Sequence, residues 1–240
     1  MDYWLHLLSY IWTMTGFLYK LKEKTSQLFS KLATVAHSII SNIEAWIDRI
    51  RRHQYYLEGV IASTPTYHPT EVDLKIAEEL RKSMSIMAPE GIISYLSEMP
   101  VEERARFIED TLLPSIATSL EISYSKVVWM ETDVRLCGYY CHRNREIALN
   151  AAYLVTNNSK LLTILVNTII HECRHARQWA AVEGKDFGYS QQTVEEWRRN
   201  FADYISSDES DEGYVKQPVE HDAAMFANSV INENEIFDQI

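Results

Sequence analysis

Leu161-Leu-Thr-Ile-Leu-Val-Asn-Thr-Ile-Ile170, continued by His171-Glu-Cys-Arg-His175, is the stretch that determines how this sequence folds. The apolar ten residues contain no glycine or proline and belong to a run with the length of a helix. Asn158 and Ser159 precede it, and their short polar side chains are suited to cap a helix N-terminus. Because glycine commonly terminates helices, Gly184 marks the predicted end of one long helix.

His171 and His175 are four residues apart, so a helix places both imidazoles on one face. Glu172 adjoins the first of them, where its carboxylate can reach a metal-bound water. Zinc takes nitrogen ligands at about 2.0–2.1 Å, and a catalytic zinc keeps one position for water. The spacing therefore predicts a zinc (Zn2+) site with two histidine ligands and Glu172 as general base and acid. Cys173 lies about 200° around the helix from His171, and we predict that it is buried in the core.

A third metal ligand must come from another part of the chain. The metzincin extension of this motif is absent, since Gln178 and Ala181 stand where its glycine and histidine would be. Glu220 is the better candidate, because Pro218 suits the first turn of a second helix. His221 and Asp222 are the alternative ligands. Small and apolar residues give that helix a compact packing face: Ala223, Ala224, Phe226 and Ala227.

These residues resemble the zincin metallopeptidases, specifically the gluzincin pattern of two histidines and a downstream glutamate. The segment Glu220-x-x-Ala223-x-x-Phe226-Ala227 is similar to the second zinc helix of ImmA/IrrE-type peptidases. The resemblance covers roughly residues 124–230 and implies that Glu220 is the third zinc ligand. Gly138-Tyr-Tyr140 and Glu146-Ile-Ala-Leu-Asn150 look like the strand pair that precedes the active-site helix in many zincins. There the last strand lies along the cleft and forms an edge to which an extended peptide can add.

Two further residues of this region have alternative interpretations. In thermolysin-like enzymes an aspartate follows the ligand glutamate by four residues, and this sequence has Ala224 there. Asp222 either replaces that aspartate as the partner of a histidine, or only complements a helix N-terminus. Tyr214 either donates to the oxyanion of a tetrahedral intermediate, as a catalytic residue, or packs ahead of the second helix.

The composition is that of a globular chain with an appendage. Its 240 residues are 46% hydrophobic and include 7 glycines and 6 prolines, which indicates a mainly helical fold with a sizeable core. The net charge is −11, but residues 1–57 hold seven basic and four acidic residues. The acidic excess therefore lies entirely in the remaining residues. An acidic catalytic body argues against nucleic acid as a partner. Residues 62–70, with two prolines, form the predicted linker between an arm (1–61) and a zincin-like domain (62–240).

Residues 1–61 predict an amphipathic helical arm, partly coiled-coil-like, because apolar residues recur at spacings near 3 and 4. The arm packs on its own domain or on a protein partner, attaches to a membrane surface, or mediates self-association. Packing on the domain or on a partner is the preferred interpretation, and three lysines after the aromatic-rich residues 3–19 are the reason to keep the membrane alternative. The signal-peptide pattern is absent and the three cysteines show no disulfide spacing, so we expect a cytoplasmic protein, with membrane association as the alternative.

Coarser patterns predict the elements around the motif. Helices are expected over residues 71–88, 90–98 and 101–119, and strands over 127–130, 135–141 and 146–150. Thr193-Val-Glu-Glu196 predicts a capping box that opens a helix reaching Tyr204. The acidic run Asp208-Glu-Ser-Asp-Glu212 predicts a solvated loop.

The sequence thus predicts an α+β fold, in which a mainly helical zincin-like domain with a small β-sheet follows a long helical arm. The predicted function is zinc-dependent hydrolysis of peptide bonds, a metalloendopeptidase acting on a peptide or protein substrate. The alternative is a non-catalytic or weakly catalytic interaction or assembly protein on the same scaffold, whose arm binds a partner or membrane. A third interpretation is a regulatory peptidase that cleaves one dedicated protein, although no helix-turn-helix pattern accompanies it.

Overall fold

The computed structural model describes residues 69–132, 136–206 and 209–231, so the predicted arm over residues 1–61 lies outside the described residues. The partner, membrane and self-association interpretations of that arm stay predictions. Within the described ranges the fold is α+β and mainly helical, with one small three-stranded sheet. No helix in these ranges is both long and apolar enough to cross a membrane.

The elements follow the predicted order along the chain. The helices are α1 (Glu71–Met87), α2 (Ile92–Glu98), α3 (Val101–Phe107), α4 (Leu113–Ser119), α5 (Ser159–Val182), α6 (Gln191–Ala202), α7 (Asp211–Val215) and α8 (Pro218–Val230). The strands are β1 (Lys126–Met130), β2 (Gly138–Cys141) and β3 (Glu146–Asn150). A π-helical turn, Ile108–Leu112, interrupts the helix predicted over residues 101–119.

Helix α5 is the central element and packs against α2, α6, α8, β2 and β3. Its N-terminus is capped as predicted, because the Asn158 side chain accepts hydrogen bonds from the backbone N–H groups of Lys160 and Leu161, at 3.0 and 3.3 Å. It ends as predicted before Gly184, whose φ of 103° suits glycine. Cys173 is fully buried, as predicted, and burial raises the pKa of its thiol.

The sheet has the strand order β1-β3-β2, in which β1 is parallel and β2 antiparallel to β3. The expectation that Glu146–Asn150 forms the edge of the sheet is therefore wrong. Pairing on both sides places this strand in the centre, where Ile147 to Asn150 are buried. Strand β2 is the edge that packs against α5.

The start of α6 also differs from the prediction. Ser190 is the N-cap, and its hydroxyl accepts a hydrogen bond from the Thr193 backbone N–H at 3.1 Å. The predicted capping box over Thr193–Glu196 is wrong, because a competing hydroxyl three residues earlier takes the cap position. The acidic run is only partly a loop, since Ser210 caps the short helix α7.

Gly138 allows β2 to approach α5 closely. A Cβ atom at this position would lie 2.7 Å from both the Ala148 carbonyl oxygen and the Thr168 methyl group. We expect Gly138→Ala to lower the free energy of unfolding by about 1–3 kcal/mol, the usual cost of overpacking, as measured by urea denaturation. Ser85→Ala is the control, because the Ser85 side chain is exposed on α1 and this substitution adds no atom. Equal stability of the two variants would contradict the prediction.

Candidate metal centre

Three of the predicted site residues converge between α5 and α8. His171 Nε2 lies 3.0 Å from His175 Nε2 and 3.1 Å from Glu220 Oε2. His175 Nε2 lies 3.1 Å from Glu220 Oε1, and all the donor atoms are within 4.8 Å of one another. Two donors that share one ion at about 2.0–2.2 Å lie at most about 4.4 Å apart. The three separations between the Nε2 atoms and the carboxylate oxygens are all shorter than this. The group is thus compact enough to hold a metal ion.

Helix geometry and helix packing explain this convergence. The two histidines lie one turn apart on α5, and α8 packs across the same face of that helix. Glu220 is the third residue of α8, after Pro218 at its first position, so its carboxylate enters the contact between the two helices. Glu220 and His175 are buried, whereas the His171 side chain keeps 16% of its surface exposed. Solvent therefore reaches the group from the His171 side.

The electrostatics of this group favour a positive charge at its centre. Burial alone would lower the pKa of His175, but the Glu220 carboxylate outweighs it and raises that pKa to about 9. Burial alone would raise the pKa of Glu220, but both histidines hold it well below its usual range. A metal that displaces the proton of His175 would find one carboxylate and two imidazole nitrogens, a donor set that zinc and several other transition metals accept.

Glu172 lies beside this group without belonging to it. Its carboxylate is buried, which raises its pKa, and the backbone N–H of Tyr140 in β2 is one of its partners. The carboxylate thus faces the sheet side of α5, one residue away from a candidate ligand. A carboxylate with a raised pKa at such a position is suited to accept and return a proton near neutral pH.

The two alternative ligands, His221 and Asp222, lie outside the group. Asp222 accepts hydrogen bonds from Arg174 Nε and Nη2, at 2.7 and 2.9 Å, and from Gln178 Nε2 at 2.6 Å. Gln178 Oε1 in turn lies 2.8 Å from His175 Nδ1. Asp222 therefore contacts His175 only indirectly, through Gln178. The sequence-based interpretation of Asp222 did not include this glutamine.

Two tyrosines surround the remaining side of Glu220. Tyr214 in α7 has Glu220 and Tyr204 among its hydrogen-bond partners, and burial raises its pKa well above the ordinary value. The Tyr204 hydroxyl donates to Glu220 Oε1 at 2.6 Å, although sequence reasoning assigned this residue only to the end of a helix. Nothing in its local pattern could reveal this contact, because α6 ends at Ala202 and the chain then turns back toward Glu220.

A groove of about 320 Å³ runs along α5 beyond Glu172. Ala176, one turn after Glu172, and Tyr140 of β2 both line it. Trp179, Arg145 and Glu183 form further parts of the wall. The groove therefore follows the same side of the helix as the buried carboxylate.

Comparisons of the chain with protein-family models, with curated proteins and with solved structures found no match. The resemblance to zincins remains a sequence-based expectation.

Proposed function

We propose that this protein is a zinc-dependent metalloendopeptidase with a zincin-like catalytic domain. The observation that supports it is the compact group of His171, His175 and Glu220 with the buried Glu172 carboxylate beside it. When bound, zinc would act as a Lewis acid and lower the pKa of a water molecule toward about 7. Glu172 accepts a proton at its carboxylate and later returns it to the leaving amine.

Peptide is the substrate class that the surroundings favour. In the described part of the chain, β2 pairs only with β3, and it lies against the helix that bears Glu172. An extended peptide can add to such an edge through main-chain hydrogen bonds. Tyr140 belongs both to this strand and to the groove along α5, so a substrate side chain beside the strand would enter the groove.

The test combines metal analysis with a cleavage assay. Full-length protein purified without chelator should contain about one zinc per chain and cleave an unstructured protein such as casein. Chelator should stop cleavage and added zinc should restore it, while His175→Ala should bind little zinc. A folded protein that takes up no zinc would contradict the proposal. Bound zinc without any hydrolysis would favour the alternative, an interaction or assembly protein on this scaffold.

The two tyrosines should have separable effects. Tyr214→Phe distinguishes the two roles open to that residue: loss of an oxyanion donor should lower kcat by about 10²-fold with little change in KM, whereas loss of a Glu220 partner should weaken zinc binding. We expect Tyr204→Phe chiefly to weaken zinc binding, because its hydroxyl donates to Glu220 Oε1 and orients that carboxylate. Steady-state kinetics and zinc competition titrations distinguish the two effects. The reverse pattern would assign the catalytic role to Tyr204 instead.

A further inference from the structure

The side-chain amide of Gln178 is fully buried between α5 and α8, directly behind the candidate metal centre. Its Nε2 donates to the Val219 carbonyl oxygen at 2.9 Å and to Asp222 Oδ2 at 2.6 Å. Its Oε1 lies 2.8 Å from Nδ1 of His175. The amide therefore connects a candidate ligand on α5 to the backbone and a carboxylate of α8.

These partners permit only one orientation of the amide. A carbonyl oxygen and an ionised carboxylate only accept hydrogen bonds, so both must face the NH₂ group of Gln178. Oε1 then faces His175, and because an amide oxygen only accepts, His175 Nδ1 must bear the hydrogen. The other ring nitrogen, Nε2, faces His171 and Glu220, and it is the nitrogen that would bind the metal once its proton is displaced.

A second layer of contacts holds Asp222 in place. Arg174 donates to both of its carboxylate oxygens, at 2.7 and 2.9 Å, and also to Asp73 Oδ1 in α1 at 2.6 Å. The Tyr189 hydroxyl lies 2.6 Å from Arg174 Nη1 and donates to the same oxygen of Asp73 at 2.9 Å. Since Arg174 is fully buried and Asp222 nearly so, rotation of the Gln178 amide would break several buried hydrogen bonds at once.

We infer that Gln178 is the positioning residue that fixes the tautomer and ring orientation of His175, with Asp222 and Arg174 as its support. This inference rests on the proposed zinc site. Metal-binding histidines usually donate their second N–H to a carboxylate, a backbone carbonyl or water. Here a neutral amide has that position, and the carboxylate lies one hydrogen bond further away.

Gln178→Met tests the inference, because methionine has a similar volume and cannot accept from His175. We expect zinc affinity to fall about 10-fold to 100-fold, the usual effect of losing such a partner, as measured by competition with a chromophoric chelator. Asn167→Leu is the matched control. It breaks a 2.9 Å amide hydrogen bond to Asn228 between the same two helices, one helical turn before His171, and this bond involves none of the three candidate ligands. It should leave zinc affinity within about 2-fold of wild type while also lowering stability.

A second variant addresses the risk that Gln178→Met folds poorly. Gln178→Glu combined with Asp222→Asn moves the negative charge from residue 222 to residue 178, its hydrogen-bonded neighbour. The new carboxylate keeps an acceptor opposite His175 Nδ1. The double variant should bind zinc more tightly than Gln178→Met even if it is no more stable. Nitrogen-15 NMR of the zinc-loaded proteins should show an Nδ1–H of His175 that is hydrogen-bonded and exchanges slowly with solvent in wild type and in the double variant. In Gln178→Met this N–H should exchange faster, or zinc should bind through Nδ1 instead.

The outcomes separate this inference from the proposed function. A wild-type protein that binds no zinc would overturn both. A zinc-binding wild type whose Gln178→Met variant keeps the same affinity and the same His175 nitrogen signature would overturn the inference alone. Equal losses of affinity in Gln178→Met and Asn167→Leu would also overturn it, because they would indicate a general weakening of the α5–α8 contact.

Discussion

Glu172→Gln should lose at least about 10²-fold in kcat/KM for peptide hydrolysis while retaining zinc and the native fold. Glutamine has nearly the same shape as glutamate, and its amide oxygen can still accept from the backbone N–H of Tyr140, one partner of the native carboxylate. The substitution removes only the ability to accept and return a proton. Because Glu172 is outside the group of candidate ligands, the zinc content should not change.

The measurement is steady-state kinetics on a peptide substrate together with elemental analysis of the same preparation. Glu196→Gln is the control, since Glu196 is exposed on α6 and should be neutral in both assays. Activity that survives in Glu172→Gln would mean that another group handles the proton. Loss of zinc in this variant would mean that the ligands are assigned incorrectly.

Arg174→Met should have the largest effect on stability, lowering the free energy of unfolding by about 3–5 kcal/mol at neutral pH. The guanidinium is fully buried and pairs with Asp73 at 2.6 Å and with Asp222 at 2.7 Å. Methionine would leave two buried carboxylates without their cation. Against a total stability of about 5–15 kcal/mol for a typical domain, this loss brings the variant near its folding threshold. The exposed Arg199→Met provides the control, with an expected change within about 0.5 kcal/mol.

The deficit of Arg174→Met should depend on pH. In wild type, burial alone would raise the pKa of Asp73, but Arg174 and hydrogen bonds from Thr70 and Tyr189 hold it below 3.8. Its stabilising contribution is thus present above about pH 3.8 and is lost as the pH falls through the lower, folded-state pKa. Without Arg174, burial dominates and Asp73 takes up a proton more readily in the folded state. The difference in the free energy of unfolding between wild type and Arg174→Met should therefore shrink as the pH approaches 4.

Urea denaturation between pH 4 and 7 checks this expectation. Combining Arg174→Met with Asp73→Asn and Asp222→Asn should recover much of the lost stability, because the uncompensated charges are then absent. A deficit that stays constant across this pH range would contradict the electrostatic explanation and would leave packing loss as the cause.

The sequence by itself determined those features whose signals lie within a few residues of one another. A four-residue spacing places His171 and His175 on one face because every helix has the same period. Asn158 and Gly184 mark the ends of α5 because capping depends on the adjacent backbone. Pro218 likewise marks the first turn of α8, and so it places Glu220 near the start of that helix.

Only the tertiary structure decided which distant residues meet. Arg174 and Asp73 are 101 positions apart, and Tyr204 reaches Glu220 through a turn that has no periodic signal. The central place of β3 likewise depends on strand pairing, which the pattern of an isolated strand does not specify. Hydrophobic periodicity records which face of an element is buried, whereas a hydrogen bond between elements requires their relative placement. For that reason the candidate metal-binding pair could be found from its spacing, while the contact of Gln178 with His175 could not.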